Sequence, residues 1–187
     1  MYGMVNQAVR GLVCEAFGDD AWKAIHTEAG APESFVSMQK YDDSITYGLV
    51  AAAEVHLEMS AQDILHAFGE YWVLKIATVH YPQLMNASGG GFLDFVKNLD
   101  HMHQRIRVTF PDYNPPSFRV KDLSEGALQV DYYSDREGLL PFVKGLFMGL
   151  GQHFDVSLEI EDHDDASHPL PCKRMTVHHR AIGALND

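Results

Sequence analysis

Cysteine is nearly missing from this chain. Cys14 and Cys172 are its only two, far apart and outside any CxxC pair, so a disulfide framework is not indicated. Basic charge is also scarce. Fourteen Lys and Arg stand against 26 Asp and Glu, a net charge of −12, and no basic run occurs. Phosphate backbones are gripped through Lys and Arg with release of counterions, which argues against nucleic acid as a partner. An anionic membrane surface is disfavoured for the same reason. No stretch reaches the roughly 18 uninterrupted apolar residues that a spanning helix needs. The start, Met1-Tyr2-Gly3-Met4-Val5-Asn6-Gln7, has no basic segment followed by an apolar core. No signal peptide is read there, and a cytoplasmic location is the expectation. GxSxG and HExxH are missing as well. Gly89-Gly90-Gly91 is no phosphate loop, since no Lys-Ser/Thr follows it and no strand precedes it.

What is present is a globular composition, 46% hydrophobic and 21% charged over 187 residues, which suits one domain or two small subdomains. Histidine is the exception. Eleven of them exceed average usage for this length and raise metal, heme and acid–base hypotheses together.

The first 110 residues read as helical. Val5, Ala8, Val9, Leu12, Val13 and Phe17 fall at helical spacing. Gly18 with Asp19-Asp20 ends that helix and starts a short one through Ile25. Asp42-Asp43-Ser44 caps a third over 45–57. Ser60-Ala61-Gln62-Asp63, a capping box with Asp in place of Glu, opens a fourth running to about Thr78. Tyr81-Pro82 restarts the chain, the three glycines break it, and one helix is expected from about 92 to 108. Phe110-Pro111-Asp112-Tyr113-Asn114-Pro115-Pro116 cannot be helix interior. Beyond it, alternation predicts strands over 117–121, 128–132, 156–160 and 174–178, a hairpin turn at Ser124-Glu125-Gly126, and a helix over 138–153. The expected fold is α+β in one domain, 1–187. A mainly helical part spans 1–110. A sheet-containing part spans 117–187, with a four-stranded antiparallel sheet and one packed helix. Glu161-Asp162-His163-Asp164-Asp165 reads as a solvated loop.

Two features could carry chemistry. Phe92, Phe95, Val96, Leu99, Met102 and Ile106 form an apolar stripe, and His103 lies on or beside it. His101 is about 200° away around a helix of ~3.6 residues per turn, so the two histidines cannot chelate one metal. His103 is then either a half-buried core histidine bonded to a carbonyl or a single axial ligand facing an apolar cavity. The second feature is Tyr132-Tyr133-Ser134-Asp135-Arg136. On a strand, Tyr132, Ser134 and Arg136 would share one face over ~13 Å. Two hydroxyls and a guanidinium suit an anion, although an ordinary exposed strand face would look the same. Cys14 reads as packed rather than nucleophilic. His163, His168, Cys172, His178 and His179 cluster in sequence without a common zinc-finger spacing; loop or edge-strand histidines are favoured over a zinc site.

Taken together, Leu99-Asp100-His101-Met102-His103, Asn114-Pro115-Pro116 and Tyr132-x-Ser134-x-Arg136 resemble the signature of the H-NOX family. These are heme–nitric oxide/oxygen binding domains related to the sensor domain of soluble guanylate cyclase. Met1-Tyr2-Gly3, Phe68-Gly69-Glu70-Tyr71-Trp72, Gly138-Leu139-x-Pro141 and Gly145-Leu146-x-x-Gly149-Leu150-Gly151 extend the likeness over essentially the whole chain. The resemblance implies an H-NOX fold with heme b (iron protoporphyrin IX) between the two parts. It implies His103 as the proximal iron ligand, Tyr132, Ser134 and Arg136 as the propionate-binding triad, and Pro116 packed against the porphyrin and helping to distort it. Asp43 is the implied partner of Arg136. Oxygen-binding members carry a distal tyrosine; the matching position here is Phe142, with Val5, Val9, Trp72 and Leu146 as its implied neighbours. That pocket implies binding of NO and CO, with O₂ excluded or held weakly. It further implies a non-enzymatic switch like that of bacterial stand-alone members. NO weakens the iron–His103 bond, the porphyrin flattens, and a histidine kinase or diguanylate cyclase responds in trans. The acidic charge suggests that such a partner presents a basic surface. Members with a C-terminal zinc site exist, but Cys172, His163 and His168 are an incomplete set. Two other readings remain: a metal-dependent enzyme using the surplus histidines, and a heme-free module that binds another anion on the Tyr132–Arg136 row.

Overall fold

The computed structural model describes residues 1–110, 113–163 and 172–182. Helices α1 (Gly3–Phe17), α2 (Asp19–Glu28), α3 (Asp43–Leu57) and α4 (Ala61–Tyr71) follow one another, and polar side chains set two of their starts. The Asp42 carboxylate accepts the Ser44 N–H at 2.8 Å. The Ser60 hydroxyl accepts the Asp63 N–H at 3.1 Å and donates to the Asp63 carboxylate at 2.6 Å. Each cap satisfies an N–H that a helix start leaves without a partner.

The fourth helix does not continue regularly to Thr78. Trp72–Ala77 is π-helical, and only then comes α5 (Thr78–His80). α6 (Pro82–Ser88) opens on a proline, where a missing N–H costs nothing. The single helix expected over 92–108 is two: α7 (Phe92–Lys97) and α8 (Leu99–Thr109). At the break, Asn98 has φ −95° and ψ 0°, and its N–H donates to the Asp94 and Phe95 carbonyls, both at 3.1 Å. Asparagine favours such local arrangements over a helix interior, and it interrupts a stripe that is otherwise continuous. Phe92, Phe95, Val96 and Leu99 are all buried, on both sides of the break.

The remaining elements are β1 (Ser117–Ser124), β2 (Ala127–Tyr133), α9 (Leu140–His153), β3 (Val156–His163) and β4 (Cys172–Ala181). The sheet has the order β1-β2-β4-β3, with every neighbouring pair antiparallel. This is the α+β architecture expected. Leu128, Val130, Met175 and Val177 are completely buried on one face of the two central strands. The Phe118 ring of β1 meets the Phe147 ring of α9 at 6.4 Å. Glu161-Asp162-His163 belong to β3 rather than to a loop; Asp164 and Asp165 lie outside the described residues. Among the described residues no helix is long and apolar enough to cross a membrane.

The chain groups into two compact units, and their boundary differs from the one expected near residue 110. One unit holds Met1–Trp72 with Pro141–Leu146 of α9. The other holds Val73–Leu140 and the described residues from Phe147 onward. Helices α6 to α8 therefore belong with the sheet. Direct bonding explains this: the Asp100 carboxylate of α8 accepts the Phe118 N–H of β1 at 3.2 Å, and Lys97 of α7 pairs with Asp122 of β1 at 2.8 Å.

In the helical unit, α4 and the 141–146 segment meet backbone to backbone. A Cβ added to Gly69 would lie 2.2 Å from the Phe142 carbonyl oxygen, and one added to Gly145 would lie 2.0 Å from that of His66. Gly145→Ala should therefore lower stability by about 1–3 kcal/mol, the usual cost of overpacking, in a urea titration. Gly90→Ala is the control, because nothing lies within 4 Å of the added carbon, and it should leave the midpoint in place.

Candidate functional site

The chemistry in the sheet unit centres on His103 of α8. Its Nδ1 lies 3.0 Å from the Pro116 carbonyl oxygen. That oxygen can only accept, so Nδ1 carries the hydrogen, and in the neutral ring Nε2 holds the lone pair. Nε2 has no hydrogen-bond partner among the described residues. The imidazole is half-buried, with the Phe118 ring at 6.0 Å and the Tyr113 ring at 6.3 Å. Burial lowers its pKa, opposed by the Pro116 hydrogen bond and the Asp100 charge. His101 is exposed, on another side of α8. The carbonyl-bonded histidine expected as one alternative is present, and the bond fixes one ring nitrogen while leaving the other open.

Tyr132, Ser134 and Arg136 do come together, but not along a strand. β2 ends at Tyr133, whose partners Ser117 and Cys172 begin β1 and β4. No ladder is left to hold Ser134–Arg136 extended, and the chain bends there. The Ser134 hydroxyl accepts the Arg136 N–H at 3.0 Å. Burial raises the pKa of the Tyr132 hydroxyl, and the Ser134 side chain and the Arg136 charge draw it back. The guanidinium Nη1 donates to the Asn114 carbonyl at 2.9 Å, and the Asn114 amide donates to Asp135 at 3.2 Å. The Phe118 ring links the two features, 5.5 Å from the Tyr132 ring and 6.0 Å from the imidazole.

Three participants were not singled out from sequence. Tyr113 flanks the imidazole, and its pKa is raised by burial and lowered by Arg136. Asn114 orients the guanidinium. Asp100 ties α8 to β1: burial alone would raise its pKa, but hydrogen bonds from the Ser117 hydroxyl, the Phe118 N–H and the Gln104 amide hold it below the usual value. The one available signal was position, since Tyr113 and Asn114 precede the two prolines and Asp100 lies one turn before His103.

The distal candidates lie in the helical unit. Val9 is buried, and Val5, Trp72, Phe142 and Leu146 are half-buried. The Phe68 ring stands 4.9 Å from Phe142 and 6.2 Å from Trp72. Asp43 takes the Met1 ammonium. Cys14 is half-buried, with its thiol pKa raised chiefly by burial. At the C-terminal end Cys172 is buried and His163 Nε2 bonds the Thr176 hydroxyl at 2.6 Å; His168 lies outside the described residues. Among the described residues no three His, Cys, Asp or Glu side chains are grouped to hold a metal.

A half-buried imidazole held at one nitrogen and a hydroxyl–guanidinium group are thus the two features of the site. Residues 2–162 match the family model described as haem-NO-binding. The chain belongs to the H-NOX family. It is 34% identical over 105 residues to the soluble guanylate cyclase subunit beta-2 of Rattus norvegicus, covering 54% of this chain and 15% of that protein. Against the soluble guanylate cyclase gcy-34 of Caenorhabditis elegans it is 26% identical over 175 residues, covering 89% and 25%. The chain thus spans a quarter or less of these relatives. The fold agrees with an H-NOX protein from S. oneidensis in the Fe(II) state, with TM-score 0.87, 20% identity and 100% of both chains covered. It agrees also with one from K. algicida, with TM-score 0.83, 22% identity and 96% and 97% covered. The residues fit the family's heme: an imidazole with Nε2 open, and two hydroxyls and a guanidinium, donors that suit carboxylates.

Asp100 supplies a test that does not depend on heme. Asp100→Asn should cost roughly 1–2 kcal/mol by weakening charge-assisted bonds. The folded pKa is below the unfolded one, so this stability is present above the unfolded value and lost as pH falls through the folded one. Urea midpoints should differ between variant and parent at pH 7, and the gap should close as pH falls below the ordinary value of 3.8.

Proposed function

We propose that this H-NOX protein is a heme-based gas sensor that takes NO and CO and binds O₂ weakly or not at all. The observation that carries the reading is the His103 imidazole, fixed through Nδ1 by the Pro116 carbonyl with Nε2 open. Heme b, when bound, would supply an iron able to take diatomic gases, with His103 as its ligand from the protein.

The chain's residues do the rest. His103 offers Nε2 as the single protein ligand. Tyr132, Ser134 and Arg136 hold the propionates, and the bond from the Arg136 N–H to the Ser134 hydroxyl fixes the bend that carries two of them. Pro116 has two roles in this reading: its carbonyl keeps the Nδ1 hydrogen, and its ring packs against the porphyrin. Because the imidazole is tethered at Nδ1, a change in the pull on Nε2 reaches both α8 and the 113–118 segment. On the distal side we assign Val5, Val9, Trp72, Phe142 and Leu146. Phe142 has no hydroxyl, so a charge-separated ligand such as dioxygen gains no hydrogen bond there, whereas NO and CO need none. The output is binding and signalling, not catalysis. It goes to a histidine kinase or a diguanylate cyclase in trans, in the cytoplasm, through a basic surface complementary to the −12 charge.

The reduced protein, kept from air, should show a Soret band that moves when NO is added. Absence of that band after reconstitution would overturn the sensor and leave the anion-binding module. His103→Gly should take up heme normally only with added imidazole. Arg136→Met should weaken heme retention about tenfold, the worth of a charge-assisted hydrogen bond. Phe142→Tyr should create an oxygen complex in air; a stable one in the parent would refute the distal assignment while leaving the heme.

A further inference from the structure

The two edges of the sheet are finished differently. β1 is closed by a helix, since the Phe118 N–H donates to the Asp100 carboxylate of α8 at 3.2 Å. β3 has no such cover among the described residues. In an antiparallel pair, successive residues of a strand direct their backbone groups to opposite sides. At the start of β3 the Ile182 N–H donates to the Asp155 carbonyl at 2.8 Å. The register that follows sets Ser157 against Arg180, Glu159 against His178 and Glu161 against Thr176. These odd-numbered residues bond β4. Leu158 and Ile160 therefore turn their N–H and C=O groups to the open side. Val156 does the same, but its carbonyl oxygen lies against Gly151 of α9, 2.8 Å from the place of a Cβ there. The helix end covers that position and leaves the next two open.

The side chains of this edge divide by face. Leu158 and Ile160 share a face with Leu128, Val130, Met175 and Val177. Those four are completely buried, whereas Leu158 and Ile160 are half-buried. Glu159 and Glu161 are exposed on the opposite face, and β3 contains no Lys or Arg. An open edge is a template for another strand. A second copy is a poor occupant: antiparallel self-pairing centred on residue 159, 160 or 161 sets Glu opposite Glu, which is destabilising. A strand with Lys or Arg opposite Glu159 and Glu161, and apolar residues opposite Leu158 and Ile160, forms opposite-charge pairs and completes the half-finished burial. We propose that the β3 edge docks an extended segment of a partner protein that alternates basic and apolar residues and joins the sheet as one more strand. Main-chain bonds at Leu158 and Ile160 hold it, and the two glutamates choose its charge and register. The edge owes nothing to His103 or to a bound heme, so this site and the Soret test stand or fall separately.

The probe is a capped peptide alternating Lys and Val over about six residues, the length of an ordinary strand. Its twin carries methyl groups on the amide nitrogens of one edge, which keeps the charge and removes the donors that pairing needs. Amide hydrogen exchange of the full chain, read by NMR, should find Leu158 and Ile160 exchanging fast in the free protein. The Lys–Val peptide near saturation should slow both by about tenfold or more, with Met175 and Val177 unchanged. The methylated twin should slow neither. Glu159→Lys combined with Glu161→Lys should weaken the Lys–Val peptide by about tenfold or more and admit a Glu–Val peptide instead. Slow exchange of Leu158 and Ile160 without peptide would overturn the proposal. So would equal protection by the twin, protection confined to other strands, or an unchanged peptide preference in the folded double variant. Should that variant fail to fold, the parent with peptide and twin decides alone: protection by the first and not the second supports the edge, and any other result refutes it.

Discussion

The hydrogen bond from His103 Nδ1 to the Pro116 carbonyl, 3.0 Å long, is the contact on which the rest of the site depends. It settles the tautomer, and with it which nitrogen has a lone pair to give. It joins a helix to a segment that cannot be helical. Prolines at 115 and 116 make that joint stiff: each fixes its own φ, and the second also confines its predecessor to extended conformations. The carbonyl is therefore aimed by covalent geometry, and the imidazole is aimed by the carbonyl. Asp100, one helical turn earlier, bonds the Phe118 N–H two residues past the same carbonyl. Two neighbouring turns of α8 are thus fastened to two neighbouring positions of β1 and its lead-in.

The Tyr132–Ser134–Arg136 group obeys a different logic. Tyr132 comes from the last ladder positions of β2 and is held by pairing. Ser134 and Arg136 come from a bend and are held by each other and by Asn114. The bend turns the Arg136 N–H onto the Ser134 hydroxyl and the guanidinium onto the Asn114 carbonyl, contacts that an extended row would not make. A group already bonded internally loses little conformational freedom on meeting a ligand. Burial near Arg136 and Ser134 leaves Tyr132 a neutral donor at ordinary pH.

Much of this was legible in the residues. Helical spacing placed His103 on the inner side of α8, and alternation located all four strands, because both patterns record which face is buried. The boundary between the units was not legible. It depends on bonds between residues far apart in sequence, Asp100 with Phe118 and Lys97 with Asp122, whose side chains could as well have been solvated. The extended row at 132–136 was misjudged because alternation continues past the point where hydrogen-bonding partners run out. Asn98 was hidden by the stripe around it, which stayed apolar on both sides of a local backbone preference. The glycines at 69 and 145 could be matched to a family pattern, but their reason, two backbones in contact, appears only once α4 and the 141–146 segment are placed together.

The π-helical stretch at Trp72–Ala77 bears on residue numbering itself. A π turn takes in one residue more than an α turn, and each residue of an α-helix advances about 100° around its axis. A helical wheel drawn straight through 61–80 is therefore out of phase for everything beyond Trp72. In aligning this chain with any relative whose helix stays regular, positions counted forward from Gly69 and backward from Pro82 will disagree by one. Roles transferred by counting are safe only when the count does not cross that turn.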